Sequence, residues 1–345
     1  MNHGIKHYSI GQASLFVLVT LVTGTGIGLS VSLVASLFVA GLHLLTDHRH
    51  SMVMNLPILQ FAGGSLVPML WLIAAAFLLW GVRSLFGIKR WHGPADSIFG
   101  AHRLDNEIDV KAGIGSTIAA FIAMGGGASV GQYGPLVHFG ATIGSHIRQV
   151  FSNKMIGTDV FIGCGVAAAI AAGFHAPIAG IVFAHEAVLR HFSFRALTPI
   201  AISSITSIWF ATAIFGGDPL FALDAAATDL LQMVPILLAS GLLFGVIAML
   251  FMLALFKSAT IAAKTGLPHL VLTLIAAVIC GVVAIFVPEI LGSGIAEINI
   301  IFGGGYALGF LFLLFVLKLL ATSLCIGFGL FGGVFSPAAM IGAAA

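Results

Sequence analysis

The residues of this chain best placed to do chemistry are glycines and prolines rather than charged side chains. Gly131-Gln132-Tyr133-Gly134-Pro135 opens an apolar segment. Glycines leave backbone N–H groups uncovered, a proline suits a first helical turn, and a helix start carries partial positive charge. Such a start suits a small anion. The same reasoning applies to His92-Gly93-Pro94, to Gly292-Ser293-Gly294 and to Gly333-Val334-Phe335-Ser336-Pro337. Four helix starts aimed at one point near the bilayer midplane would hold an anion without any fully charged ligand. The competing reading is that each is a Gly/Pro helix break used for tight packing; it fits any single motif better and the duplicated set worse.

Other reactive residues are few. Glu186 is the one acid embedded in an apolar run, a position that by default marks function inside a membrane. It is read as a proton relay or as one half of an ion pair with His185, Arg190 or Lys318. His185-Glu186 resembles the start of a zinc-protease helix, but the second histidine would stand at Leu189, so that motif fails. His43, His48 and His50 lie with Asp47 at a membrane edge, and no histidine cluster has metal-ligand spacing. Cys164, Cys280 and Cys325 sit far apart in apolar runs and read as small core residues. Gly24-Thr25-Gly26-Ile27-Gly28 lacks a preceding strand and reads as helix packing, not as a nucleotide loop. With no nucleophile–base pair, no metal set and no cofactor motif, the chain is not expected to be an enzyme.

The elements that position these residues follow from composition. The chain has 345 residues; 59 % are hydrophobic, 8 % are charged and the formal net charge is +2, against about 25 % charged residues in soluble domains. Mean hydropathy is +1.13. A surface this poor in charge cannot face water, which excludes a soluble enzyme and a nucleic-acid binder. Apolar runs long enough for ~30 Å of hydrocarbon are expected near 13–45, 57–82, 112–130, 196–216, 230–256, 269–288 and 306–330. Shorter Gly- or Pro-broken pieces lie near 135–151, 159–173, 176–189 and 334–345. Broken helices at membrane depth persist only where protein or a water-filled cavity satisfies their backbone, so they suggest a transport pathway. The polar stretch from Met1 to Gly11 does not read as a cleavable signal peptide, and the run after it reads as a first span.

Basic loops set the orientation. Arg83, Lys89, Arg90, Arg103 and Lys111 form one group, Arg190 and Arg195 a second, Lys257 and Lys264 a third; these should face the cytoplasm. The segment 213–229, with Asp218, Asp224 and Asp229, and the segment 288–300, with Glu289 and Glu297, carry no Lys or Arg and should face outward. Two crossings before the first basic loop then place the N-terminus inside the cell, in a multi-pass protein of the inner membrane.

The sequence repeats itself at these motifs. Gly131-x-Tyr133-x-Pro135, continuing to Gly140-Ala141, matches Gly333-x-Phe335-x-Pro337, continuing to Gly342-Ala343. His92-Gly93-Pro94-Ala95-Asp96 matches Ser293-Gly294-Ile295-Ala296-Glu297. Two matches at nearly one offset indicate two homologous halves, about 57–195 and 230–345, within one transmembrane domain of residues 1–345. The first repeat adjoins a basic, inward segment and the second an acidic, outward one, so the repeats are expected to be inverted. The fold class is therefore all-α: a polytopic membrane protein with two inverted repeats of tilted and broken helices.

At these motifs the chain resembles a known family. Gly-Gly-Gly-Ala-Ser-Val-Gly-Gln-Tyr-Gly-Pro (125–135), Ala-Ala-Gly-Phe-His-Ala-Pro-Ile-Ala-Gly-Ile-Val-Phe-Ala-His-Glu (171–186) and Gly-Gly-Val-Phe-Ser-Pro (332–337) are similar, in order and spacing, to motifs of the chloride channels and chloride/proton exchangers of the CLC type. The resemblance runs from about residue 60 to the end. It implies a homodimer in the lipid bilayer in which each subunit moves chloride or a related small anion. It places Phe335 on the family's pore-lining phenylalanine, implies the backbone of Val334 and Phe335 as anion donors, and aligns Gln132, Tyr133, Gly134 and Pro135 with the family's G-R-E-G-P.

Tyr133 then stands where the family has its gating glutamate. A phenol, with an ordinary pKa of ~10, is no carboxylate at neutral pH, though its O–H can donate to an anion or plug the path; simple packing in a helix-start groove is the other reading. His92 falls where the family has an anion-binding serine and is either such a donor or an ordinary interfacial residue. Glu186 takes the first of the family's paired glutamates, while Ala187 replaces the second, the exchangers' internal proton-transfer residue. With both carboxylate positions altered, passive conduction is expected over proton exchange. The alternatives are exchange through Glu186 and His92, or a non-conducting truncated subunit, since Ala345 ends the sequence inside an apolar segment and the second repeat is expected to be incomplete.

Overall fold

The computed structural model describes residues 10–61, 63–103, 107–150, 156–216, 220–221 and 230–345. The protein is an all-α, polytopic membrane protein. Its helices in order are α1 (Ile10–Asn55), α2 (Val67–Phe86), α3 (Pro94–His102), α4 (Val110–Gly125), α5 (Tyr133–Val150), α6 (Thr158–Phe174), α7 (Pro177–Phe183), α8 (Phe194–Phe215), α9 (Leu230–Thr265), α10 (His269–Phe286), α11 (Ile295–Phe302), α12 (Leu308–Gly327) and α13 (Phe335–Ala344). A single π-helical turn, Ala184–Leu189, continues α7.

Among the described residues six helices are long and apolar enough to cross a bilayer: α1, α2, α8, α9, α10 and α12. The expected span at 112–130 is instead α4, which has 16 residues and stops at Gly125, because Gly126 and Gly127 follow and Gly127 adopts φ +97°. The expected span at 57–82 begins later, at Val67. Pro57 cannot extend α1, and Pro57–Leu59 forms a 3-10 turn before a hairpin pairing Gln60 with Ser65 and Phe61 with Gly64. In the other direction α1 outruns its expected end at residue 45 and reaches Asn55; its 46 residues extend about 70 Å at 1.5 Å per residue. Asp218, Asp224 and Asp229, expected in an outward loop, and residues 1–9 lie outside the described residues.

The chain divides into two compact units. The first comprises residues 1–37, 92–114 and 136–218. Its centre is α6, buried continuously from Val160 to Ala171, as expected of a helix apolar on every side. Small residues let neighbouring backbones approach α6. A Cβ on Gly140 or Gly144 of α5 would collide with the carbonyls of Gly165 or Phe161 on α6. Three serines of α8 stitch the unit together: Ser203 donates to the Cys164 carbonyl at 3.0 Å, Ser207 to that of Ala168 at 2.7 Å, and Ser204 to that of Pro177 at 2.9 Å. These bonds satisfy hydroxyls that lipid could not. Gly24 and Gly28 of α1 seat that helix on the Pro199 and Ser203 carbonyls of α8; the glycine run of α1 is helix packing.

The second unit comprises residues 38–91, 115–135 and 219–345. It packs α2 on α10, where Gly281 makes room for Met69, and α12 on α9, where Gly327 makes room for Ser258. Leu237, Leu238, Leu242, Met252 and Phe256 of α9 are exposed, as side chains facing lipid would be. In both units small residues let helix backbones approach closely.

Candidate anion-binding site

Two of the four helix starts singled out in the sequence meet in the second unit. The loop after α4 and the loop after α12 run antiparallel for one residue: Gly131 N–H donates to the Gly333 carbonyl at 2.6 Å and Gly333 N–H returns to the Gly131 carbonyl at 2.5 Å. No side chain fits between them, since a Cβ on Gly333 would lie 2.9 Å from the Gly134 nitrogen. Two residues further on, Tyr133 and Phe335 open α5 and α13, with ring centroids 6.0 Å apart at 87°. This edge-to-face arrangement is favourable for aromatic pairs. The bridge thus sets the two helix starts side by side, with Gln132, Gly134 and Pro135 at one and Val334 at the other.

The side chains at the two starts differ in exposure. Tyr133 is 3 % exposed, whereas Val334 and Phe335 are 43 % and 54 % exposed. Gln132 is buried beside Tyr133, and Ser129, two residues before the bridge, is hydrogen-bonded to Thr322 of α12 at 3.0 Å.

A reciprocal pattern surrounds the bridge. Gly127 and Gly329 hold φ +97° and +100°, the left-handed side that glycine alone visits freely. The Gly127 carbonyl accepts from Gly292 N–H, in the loop before α11, at 3.2 Å. The Gly329 carbonyl accepts from Trp91 Nε1–H, in the loop before α3, at 3.3 Å. Each loop that ends at a helix start is therefore anchored by a residue from the other half of the sequence.

Two buried cations brace the same unit, and composition gave little sign of them. Arg49, 5 % exposed, donates through Nη1 to the Gly125 carbonyl at 3.1 Å. Lys318, fully buried on α12, donates to the carbonyls of Ile290 and Gly292 at 2.9 and 2.8 Å. Both interact with Glu297, in the first turn of α11. Burial holds the Glu297 carboxyl above the usual carboxylate range, while Lys318 pulls it back. The third start singled out in the sequence, Gly292-Ser293-Gly294, leads into α11: Gly294 adopts φ +80° against Met340 of α13.

The fourth start belongs to the first unit. Gly93 caps α3, but its N–H donates to the carboxylate of Asp96 at 2.9 Å. The amide expected to face an anion is occupied by the chain's own acid. His92, half-buried, has its ring 5.9 Å from that of His138, whose Nδ1 is hydrogen-bonded to Ser97 at 2.8 Å. His138 and Ser97 are fully buried, and sequence reasoning missed both. No motif marks them; the spacing of 41 residues between them carries no periodic signal.

Glu186 lies in the π-helical turn and is exposed. His185 turns inward instead: its Nδ1 is 3.0 Å from the Ile181 carbonyl and its ring stacks on Phe192 at 4.9 Å. Ala187 stands next to Glu186 on the same turn. Among the described residues no three His, Cys, Asp or Glu side chains gather as metal ligands would.

Comparison with known proteins agrees with this architecture. A family model described as "Voltage gated chloride channel" matches residues 74–345. The chain is 28 % identical over 332 residues to an H(+)/Cl(-) exchange transporter ClcA of Vibrio cholerae serotype O1, covering 92 % of this chain and 69 % of that one. It is 28 % identical over 277 residues to a putative chloride channel protein ClcB-like of Ralstonia nicotianae, covering 78 % and 64 %. Among solved structures, a slow cyanobacterial Cl-/H+ antiporter aligns with a TM-score of 0.80 at 22 % identity, covering 93 % of this chain and 76 % of that one. A CLC-type fluoride/proton antiporter aligns at 0.74 and 23 %, covering 97 % and 80 %. At that identity the two structures speak for the fold alone. With a bridged pair of Gly/Pro helix starts in an all-α membrane scaffold, and a family match over most of its length, the chain belongs to the voltage gated chloride channel family.

Proposed function

We propose that the chain moves chloride or a related small anion across the membrane by a passive, channel-like route. In this reading the backbone N–H groups at the starts of α5 and α13, with the exposed ring of Phe335, line the path. Tyr133 is the gate. His92 supplies a side-chain donor to the anion. The observation that carries the reading is the Gly131–Gly333 bridge, which sets two helix starts side by side. Two helix ends add partial positive charge that attracts an anion without binding it as tightly as a full charge would.

Passive conduction is proposed because the residues at the family's two carboxylate positions, Tyr133 and Ala187, do not exchange protons at neutral pH as carboxylates do. The second reading is proton-coupled exchange, favoured by the names of the relatives, several of which are called exchange transporters or antiporters. Under it Glu186 and His92 carry the proton, and Glu186→Gln would abolish proton movement while leaving anion flux.

The same proposal includes an inverted repeat. Helices α2, α3, α4 and α5 start 198 to 202 residues before α10, α11, α12 and α13, in the same order, and the crossed anchoring of Gly127 and Gly329 is what two repeats facing each other would produce. A homodimer in the inner membrane with its N-terminus in the cytoplasm completes the proposal.

Purified protein in chloride-loaded vesicles, with a potassium ionophore to clamp the voltage, tests the proposal. Chloride efflux that protein-free vesicles lack supports anion transport. Efflux at the protein-free rate, for chloride, nitrate, bromide and fluoride alike, contradicts it.

A further inference from the structure

Cys280 of α10 and Cys325 of α12 are separated by 45 residues in sequence, yet their sulfur atoms lie 3.5 Å apart. Both thiols are free and buried, at 1 % and 0 % exposure. Small residues flank them along each helix: Ala276, Ala277 and Ala284 on α10, Ala321 and Thr322 on α12. Small residues let two helix backbones approach closely, and a disulfide needs the sulfurs to close to about 2.0 Å. The third thiol, Cys164, belongs to the first unit.

The place of Cys325 on α12 gives the pair a consequence. Lys318, Thr322 and Cys325 follow at i, i+4 and i+7 and so share one face of the helix. Each holds something different. Lys318 holds the Ile290 and Gly292 carbonyls before α11. Thr322 holds Ser129 in the loop that leads to Gly131 and Tyr133. Cys325 contacts Cys280 of α10.

We infer that Cys280 and Cys325 form a redox-responsive dithiol whose oxidation to a disulfide ties α10 to α12 and slows transport through the Tyr133–Phe335 site. The oxidant class is a small, uncharged peroxide, which crosses lipid. Each thiol gives up its hydrogen, one S–S bond forms and the peroxide O–O bond breaks; hydrogen peroxide accepts the two electrons and two protons and leaves as two waters. A thiol reductant reverses the step by exchange. The bond adds a covalent tether less than one turn from Thr322, so the stripe that positions the Ser129 loop loses freedom to move. The effect on transport rests on the anion-transport reading; formation of the disulfide does not.

The test uses the whole protein in vesicles, treated with hydrogen peroxide and then with dithiothreitol. After peroxide, intact mass is expected to fall by two hydrogens, and alkylation in denaturant should find one thiol, Cys164, with three recovered after reductant. Chloride efflux is expected to slow roughly threefold, the scale of a modest bias on a packed element, and to recover with reductant. Cys280→Ser and Cys325→Ser should each abolish the response, and Cys164→Ser should keep it. Three alkylatable thiols after peroxide, or a gain of oxygen atoms in place of the loss of hydrogens, would overturn the dithiol. A disulfide that leaves efflux unchanged would overturn its control of transport. Absence of efflux in the reduced protein would instead count against the anion-transport reading, with the mass result standing on its own.

Discussion

The loop from Gly125 to Tyr133 and the loop from Gly327 to Phe335 have the same backbone and different side chains. Each carries a glycine near φ +100°, each donates to the other at one glycine, and each ends on an aromatic that opens a helix. Yet Tyr133 is sealed away while Phe335 is more than half exposed. The difference teaches that backbone geometry at these starts is duplicated, whereas the side chains occupy different surroundings: one ring is buried, the other half-exposed. Arg49 and Lys318 reinforce the point. Arg49 braces the first loop at the Gly125 carbonyl, Lys318 braces the approach to α11, and the position 202 residues before Lys318 is Ser116.

The comparison is broken most forcefully at its aromatic ends. Tyr133→Ala removes a buried ring and should cost about 3–5 kcal/mol, as truncation of a buried aromatic does, and the surviving protein should conduct faster. Phe335→Ala, at a half-exposed ring, should cost less than half as much. Melting temperatures in detergent check both, and equal losses would remove the distinction between the buried and the half-exposed ring.

A smaller effect separates the two glycines. Gly329→Ala should cost about 1–3 kcal/mol for its backbone conformation alone, because its Cβ would meet only the Thr273 methyl group at 3.5 Å. Gly127→Ala should cost about 1–3 kcal/mol more: its Cβ would lie 2.7 Å from Nη1 of Arg49 and must displace the bond to the Gly125 carbonyl. Denaturation of the two variants side by side measures the difference, and a reversed order would contradict the bracing role of Arg49.

Much of this was legible in the sequence, for a physical reason. Glycine and proline act through the backbone, so their spacing reported the helix starts at Pro94, Tyr133, Ile295 and Phe335 directly. What stayed hidden depends on side chains meeting across long separations. Lys318 was read as a partner for Glu186, but a lysine in an apolar helix can be satisfied by carbonyls freed at a helix break, and the sequence does not say which break it reaches. Asp96 looked like one acid in a repeated motif; only the fold shows its carboxylate on the Gly93 amide. Glu186 stands in an apolar run, and only the fold shows that it is exposed on the π-helical turn while His185 is buried. The span expected at 112–130 was overdrawn because Gly126 and Gly127, apolar in a hydropathy window, end α4 by their backbone.

Three further substitutions sharpen the contrast between the halves. Lys318→Met keeps the length of the side chain but leaves the Ile290 and Gly292 carbonyls without their donor, at a cost of roughly 2–3 kcal/mol; Ser116→Ala, at the matching position, should cost about 1 kcal/mol or less. Thermal unfolding distinguishes them, and equal costs would mean that the halves do not divide the bracing unevenly. The smallest change is expected from Tyr133→Phe, which keeps the ring against Phe335: stability should stay within about 1 kcal/mol and chloride efflux should change little. A large rise in efflux would assign the closure to the hydroxyl and not to the ring.

The most direct measurement records chloride and proton movement together in vesicles holding the unaltered protein, with an outward chloride gradient and no proton gradient at the start. Chloride efflux with no uphill movement of protons is the result expected from a path with Tyr133 and Ala187 at the two carboxylate positions. Chloride efflux that drives protons uphill would contradict passive conduction and establish exchange in its place.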